Sequence, residues 1–238
     1  MTELPLNIEQ VTIIGSGNVA SFFAKFFHHN GLKVKSVVAR NVEKGEALAK
    51  LVNATCLSSM PQFAENDLVL ICVKDDAIAT VSQTINGGLV CHTSGAQSIN
   101  SLQNQNNFGV IYPFQSILVN SAVENINFPL FIEGNSTQTL NAISEFLKDI
   151  PAQIVTVNSD NRLKYHLSAV FANNFTNAML LAAQKICNEH HLDFSYLQPL
   201  ITQSIQQALS FGPKNSQTGP AKRQEDRKST RLNSSHEI

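Results

Sequence analysis

The chain has 238 residues, 43% of them apolar, and a formal net charge of −1. Such a length allows one large or two modest domains with a sizeable core, and the balanced charge, without a basic stripe or interleaved aromatic and basic residues, argues against nucleic acid. No signal peptide opens the chain and its longest wholly apolar run, Leu68 to Val73, is far too short for a bilayer, so a cytoplasmic protein without a membrane partner is expected.

The first element is an apolar strand at Val11 to Ile14 that breaks into Gly15-Ser16-Gly17-Asn18-Val19-Ala20 and opens a helix. A dinucleotide-binding domain begins in this way. Gly15 turns the chain tightly off the strand, Gly17 has no side chain to block a pyrophosphate, and Ala20 lets the helix sit close on the sheet. The unpaired N–H groups at the helix start, at the positive end of its dipole, suit phosphates. Gly15, Ser16, Gly17, Asn18 and Val19 are therefore candidate cofactor-binding residues. Phe22, Phe23, Phe26 and Phe27 follow Val19 at helical spacing and read as core rather than cofactor contact.

The next strand, Val34 to Ala39, ends in Arg40-Asn41. At this place, roughly 20 residues past the glycines, NAD-specific folds put an acidic residue on the ribose 2′-hydroxyl. An arginine instead suits a 2′-phosphate through charge-assisted, often bidentate hydrogen bonds. NADP(H) is accordingly favoured over NAD(H), with Arg40 as the 2′-phosphate ligand. The plain alternative is an arginine that ends a strand in solvent.

A helical pattern over Val42 to Leu51 and strands at Leu68, at Leu89 to His92 and at Gly109 to Tyr112 continue the alternation. Phe128 to Glu133, a helix over Thr137 to Lys148, and Gln153 to Val157 extend it. From about Asn161 the pattern changes to long helices, Arg162 to His190 and Phe194 to Ser210. The expected fold is an α/β Rossmann-type, mostly parallel sheet over residues 1–158, then an all-helical domain over 159–225. That helical part is small and apolar enough to need a partner surface, most simply its own copy in a homodimer. Residues 226–238 lack apolar periodicity and resemble the out-of-place translation of a sequencing adapter. They read as a non-native tail on a truncated domain, with a natural disordered tail as the alternative. Cys56, Cys72, Cys91 and Cys187 are scattered, without CxxC spacing or clustered histidines, so neither a metal site nor a disulfide framework is expected.

In an open parallel sheet the ligand crevice lies outside the carboxyl ends of the strands. Val73 and Lys74, in Val73-Lys74-Asp75-Asp76, would pass beside the nicotinamide ribose. His92 and Ser94, in His92-Thr93-Ser94-Gly95-Ala96, can donate hydrogen bonds to a substrate, although Ser94 serves equally well as a cap for the next helix. Tyr112-Pro113-Phe114-Gln115-Ser116 puts a phenol, a rigid turn and neutral hydrogen-bonding groups at the crevice mouth. On the first long helix His166 and Asn173, near Lys164, Asn174 and Asn177, are seven residues apart and share a face of a regular helix. Histidine is the side chain best suited to exchanging a proton there.

These pieces form a recognisable set. GSGNVA, the ARN after the second strand, CVKDDAI, HTSGAQSINSL, YPFQSI, the His166 to Asn174 helix and TGPAKR together resemble a two-domain Rossmann-like family whose helical half is a domain of unknown function. The family is similar, more distantly, to the deazaflavin-dependent NADP oxidoreductase, pyrroline-5-carboxylate reductase and prephenate dehydrogenase groups. The resemblance implies that the all-helical domain is of the dehydrogenase dimerisation type, similar to the 6-phosphogluconate dehydrogenase C-terminal domain. It also implies a dimer with interlocked helical halves that face the cofactor cleft, and a helix beyond Thr218-Gly219-Pro220-Ala221. The histidine that prephenate dehydrogenase-like enzymes carry at the Tyr112-Pro113 turn is missing, which argues against prephenate as substrate.

The expected function is hydride transfer between NADP(H) and a small polar carbonyl, imine or alcohol. His166 is expected as general acid or base, with Tyr112 and Ser94 in the catalytic group, and His92, Gln115 and Asn173 as substrate-binding residues. The competing reading is a non-catalytic NADP(H)-binding sensor or interaction protein. A short-chain dehydrogenase is disfavoured because no Tyr-x-x-x-Lys pair follows a catalytic serine.

Overall fold

The apolar runs of the first half become strands of a single sheet in the computed structural model, which describes residues 6–124 and 126–217. They are β1 (Gln10–Ile14), β2 (Lys33–Val38), β3 (Thr55–Leu57), β4 (Asp67–Ile71), β5 (Leu89–His92), β6 (Asn107–Pro113), β7 (Leu130–Gly134) and β8 (Ile154–Thr156). Their order is β3-β2-β1-β4-β5-β6-β7-β8, and every neighbouring pair is parallel except β6 with β7. Helices α1 (Asn18–His29), α2 (Val42–Leu51), α3 (Ile78–Ser82) and α4 (Thr137–Phe146) connect them. Strand β4 shows why both faces are covered. Leu68 and Leu70 enter one core cluster while Val69 and Ile71 enter the other, as the alternation of a strand buried on two sides requires.

Helix α1 is held by its phenylalanines. Phe22, Phe23, Phe26 and Phe27 are all buried, with Phe22 stacked on Phe26 at 5.4 Å and Phe27 edge-on to Phe146 at 5.6 Å. The stripe is core, as its spacing indicates. Two elements leave no sequence pattern of their own. Strand β3 is a three-residue edge, and α3 is five residues long, too short to show helical periodicity. At the amino end of the strands, opposite the candidate site, the buried Asp67 accepts from Gln10 Nε2 at 2.7 Å, Lys35 Nζ at 2.8 Å and the Ala64 N–H at 3.0 Å. Burial alone would raise its pKa, but the Lys35 ammonium and the other donors hold the carboxyl below its ordinary value.

The chain divides into two compact units, Met1–Val170 and Phe171–Ile238. Helix α5 (Ser159–Ala169) falls in the first, beyond the boundary expected near residue 158, because Arg162 is buried and ion-paired with Glu133 on β7. The second unit holds most of a π-helical stretch, Val170–Phe175, then α6 (Thr176–Glu189) and α7 (Gln198–Phe211), with no strand among its described residues. The tail at 226–238 and the Thr218-Gly219-Pro220-Ala221 segment lie outside the described residues. Among the described residues no helix is long and apolar enough to cross a membrane.

Candidate functional site

The glycine turn is built as its residues require. Gly15 has φ +122°, and a Cβ there would lie 2.4 Å from the Cys72 carbonyl oxygen, so only glycine lets β1 turn so close to the end of β4. Gly17 caps α1 without a side chain, and a Cβ built on it would meet nothing within 4 Å. The first turn of α1 carries no acidic residue and receives no side-chain cap. Its N–H groups therefore stand before open space at the positive end of the helix, which fits a pyrophosphate. Ser16 and Val19 are half-buried and Asn18 is exposed, its Nδ2 donating to the Ile117 carbonyl at 3.4 Å. That bond lays the connection after β6 beside the helix start. Arg40 is exposed just past β2, while its neighbour Asn41 caps α2 by accepting from the Lys44 N–H at 2.9 Å. After β4, Val73 is half-buried and Lys74 exposed.

Across the same ends of the strands stands a pair able to exchange a proton. Tyr112 Oη lies 3.0 Å from His166 Nδ1, a hydrogen bond in which the phenol or the imidazole donates according to the histidine tautomer. Both side chains are half-buried. Gly95, on the loop after β5, fits between them: a Cβ there would approach His166 Nδ1 and Tyr112 Cζ, each at 2.6 Å. Behind the pair, Phe114 stacks on Phe131 at 4.9 Å, and Tyr165 lies 5.1 Å from Phe131. Burial raises the pKa of Tyr112, the Asp75 carboxylate adds to this, and the Arg162 cation opposes it. A phenol kept protonated against an imidazole can donate at a developing oxyanion or amide and be recharged from the ring.

Residues 10–91 match the family model described as NADP oxidoreductase, coenzyme F420-dependent, and residues 128–230 match that of a domain of unknown function, DUF2520. No curated protein matches the chain in sequence. Among solved structures it is similar to a Bacteroides fragilis protein described as an NADP oxidoreductase, at 28% identity and a TM-score of 0.80, covering 92% of this chain and 88% of that one. Its fold is also that of a reductive aminase from Aspergillus terreus solved with NADPH and ethyl-5-oxohexanoate, at 14% identity and a TM-score of 0.65, covering 86% and 76% of the two chains. A pyrroline-5-carboxylate reductase from Streptococcus pyogenes gives 15% identity, a TM-score of 0.59 and coverage of 91% and 83%. The two family matches follow one another along the chain, an oxidoreductase half and then a DUF2520 half.

The oxidoreductase match contains the glycine turn, Arg40, Val73 and Lys74, whereas the DUF2520 match contains Glu133, Arg162, His166 and Asn173. Ser94, Gly95, Tyr112 and Gln115 fall between the two. His92 is wholly buried and turned away from solvent, its Nδ1 accepting from the Ser94 N–H at 3.1 Å and its Nε2 meeting the Ser98 carbonyl at 3.4 Å. It clamps the loop rather than presenting a donor to a substrate. Ser94 is buried too, and its hydroxyl oxygen accepts from the Ala96 and Gln97 N–H groups at 3.1 and 3.0 Å, so it takes a capping role instead of facing a substrate. Gln115 is exposed, with Oε1 accepting from the Ser116 N–H. The shared helical face expected for His166 and Asn173 does not form. The backbone between them is π-helical over Val170–Phe175, which changes the residues per turn, and Asn173 lies in the second unit.

Sequence reasoning passed over Arg162, Glu133, Ser159 and Gly95. Two signals for them existed: an arginine one turn before the candidate histidine, and a lone glutamate ending the apolar run Leu130-Phe131-Ile132. Elsewhere, in the second unit, a groove of about 550 Å³ is walled by Leu180, Leu181, Phe194 and Ile201. Its lining has no ionisable side chain, so it offers no proton chemistry.

Proposed function

We propose that this chain is an NADP(H)-dependent oxidoreductase that moves a hydride to or from a small polar carbonyl, imine or alcohol. One observation carries the reading: a phosphate-ready glycine turn and a hydrogen-bonded Tyr112–His166 pair stand at the carboxyl ends of strands of one sheet, joined by the Asn18–Ile117 contact. The bound nicotinamide supplies or takes the hydride. Gly15, Ser16, Gly17, Asn18 and Val19 hold the phosphates by backbone N–H groups and close approach, with Val73 and Lys74 further along the cofactor. Arg40 takes the 2′-phosphate and so favours NADP(H) over NAD(H). His166 exchanges the balancing proton with the substrate through Tyr112 Oη, and Gln115 orients the polar group. The NADPH complex of the reductive aminase and the pyrroline-5-carboxylate reductase support a carbonyl or imine substrate. A non-catalytic sensor is not favoured, because it has no use for a paired acid and base beside the glycine turn.

The test is NADPH oxidation screened against keto acids, aldehydes and cyclic imines. Turnover of at least one is expected, falling by about 10²- to 10⁴-fold in His166→Ala. An unchanged rate in that variant removes His166 from the chemistry, and tight NADPH binding without any turnover favours the sensor.

The same reading includes a cytoplasmic homodimer formed through the helical unit. Cys187 is the sole buried residue of α6 and α7, while Tyr196 and Leu209 are 82% and 83% exposed. Faces of this kind are covered by a partner in most soluble proteins. Sedimentation equilibrium is expected to give twice the chain mass at micromolar concentration; the mass of a single chain there contradicts the dimer.

A further inference from the structure

We propose that Arg162, through its buried ion pair with Glu133, is the positioning residue of the Tyr112–His166 pair. The inference rests on the reading of that pair as the proton-exchanging group. Arg162 stands four residues before His166 on α5, so the two side chains leave one face of the helix a turn apart. It is 1% exposed, pairs through Nη1 with Glu133 Oε2, and donates through Nη2 to the Gln97 carbonyl at 2.6 Å and to Ser159 Oγ at 3.2 Å. Glu133 holds the start of the same helix: Oε1 accepts from the Ser159 N–H, and Oε2 from the Ser159 hydroxyl, both at 2.9 Å. Ser159 Oγ in turn accepts from the Ile99 N–H at 3.0 Å.

Three segments converge on this ion pair: β7, the start of α5, and the loop that carries Gly95. Their mutual placement decides whether Tyr112 Oη and His166 Nδ1 meet. Glu133 pairs with Val110, and Phe131 with Tyr112, so β7 is registered directly on the strand that presents the phenol. Gln97 stands two residues after Gly95, the position whose missing side chain makes room for both rings.

Stability alone does not account for such an arrangement. Taking two charges out of water costs several kcal/mol, and a well-packed apolar pair of similar volume often does as well. Arg162 Nε adds to the cost, since it is buried with no acceptor among the described residues. What the pair provides is direction. A guanidinium fork with fixed acceptors admits one register of α5 on the sheet, whereas an apolar contact permits sliding. The Arg162 cation also acts on Tyr112, opposing the rise that burial imposes on the phenol.

Arg162→Met alone leaves the half-buried Glu133 carboxylate without its cation, so the decisive variant is Arg162→Met combined with Glu133→Leu. The chain has three tyrosines and no tryptophan, so tyrosinate formation is readable by ultraviolet absorbance, and subtracting Tyr112→Phe isolates the residue. In the folded double variant, checked by circular dichroism, Tyr112 is expected to ionise at higher pH and the His166 ring-nitrogen resonances to lose their hydrogen-bonded shift. With a substrate in hand, kcat falls about a hundred-fold at unchanged KM for NADPH. Arg162→Lys, which keeps the charge but not the fork, is expected to fold and to show the same weakening of the His166 signature. Wild-type Tyr112 titration and His166 resonances in either folded variant overturn the proposal. Those readouts need no ligand, so a shift in them without turnover of any substrate leaves the positioning role in place and removes the proton-exchange reading instead.

Discussion

Alanine at position 95 is expected to lower kcat by about a hundred-fold while leaving NADPH affinity near that of the wild type. The added methyl would sit 2.6 Å from both His166 Nδ1 and Tyr112 Cζ, well inside van der Waals contact, so the rings must part and their 3.0 Å hydrogen bond must break. The atoms nearest a Cβ at Gly95 belong to His166 and Tyr112 and none to the glycine turn or Arg40, so cofactor affinity is expected to change little. Overpacking of this kind costs about 1–3 kcal/mol of stability, which leaves a folded protein to assay. Steady-state kinetics on Gly95→Ala measure both quantities. A wild-type kcat would show that the pair is not in the reaction, and a matching loss of NADPH affinity would show that the loop serves the cofactor instead.

Acid sensitivity that begins above the carboxylate range is the second large effect expected. His92 is wholly buried, and its Nδ1 must act as an acceptor for the Ser94 N–H, which fixes a neutral ring protonated on Nε2 toward the Ser98 carbonyl. Burial, helped by the Arg162 cation and opposed by the Ser98 carbonyl, pushes its pKa down from 6.5 to about 4. Between those values the unfolded chain binds the proton and the folded one does not. The contribution is therefore fully present above about pH 6.5 and is lost as pH falls toward about 4, amounting to about 3 kcal/mol. Urea unfolding over that pH range is expected to show the loss in the wild type and a much flatter dependence in His92→Asn. The same slope in both proteins contradicts the assignment. Because His92 clamps the loop bearing Gly95, acid should loosen the Tyr112–His166 pair before the sheet unfolds.

Much of this was legible in the sequence because the informative residues come directly after apolar runs. The turn from Gly15 to Ala20, Arg40 after the second strand, and Tyr112 at the end of a later one are placed by counting strands, and parallel topology sends them all to one end of the sheet. Tyr112 and His166 could be nominated separately, but their contact depends on Gly95, whose role is the absence of an atom. Arg162 and Glu133 are 29 residues apart and meet only when α5 docks on β7, which no local pattern reports. His92 has the sequence position of a donor at a strand end, yet its partners are backbone atoms of its own loop. A shared face for His166 and Asn173 requires α-helical spacing, and the π-helical stretch removes it. Strand β7 extends the sheet as its apolar run indicates, but its antiparallel direction with β6 comes from how the connection after Pro113 folds back, which apolar content does not record.

The most direct test of the central claim is titration of the protein with NADPH and with NADH, monitored by nicotinamide fluorescence, for the wild type and Arg40→Ala. Saturable NADPH binding at one site per chain is predicted, with NADH about ten- to a hundred-fold weaker, the worth of charge-assisted hydrogen bonds to one phosphate. The gap should close in Arg40→Ala through loss of NADPH affinity alone. Absence of saturable binding, or equal affinity for the two cofactors in the wild type, would contradict the account.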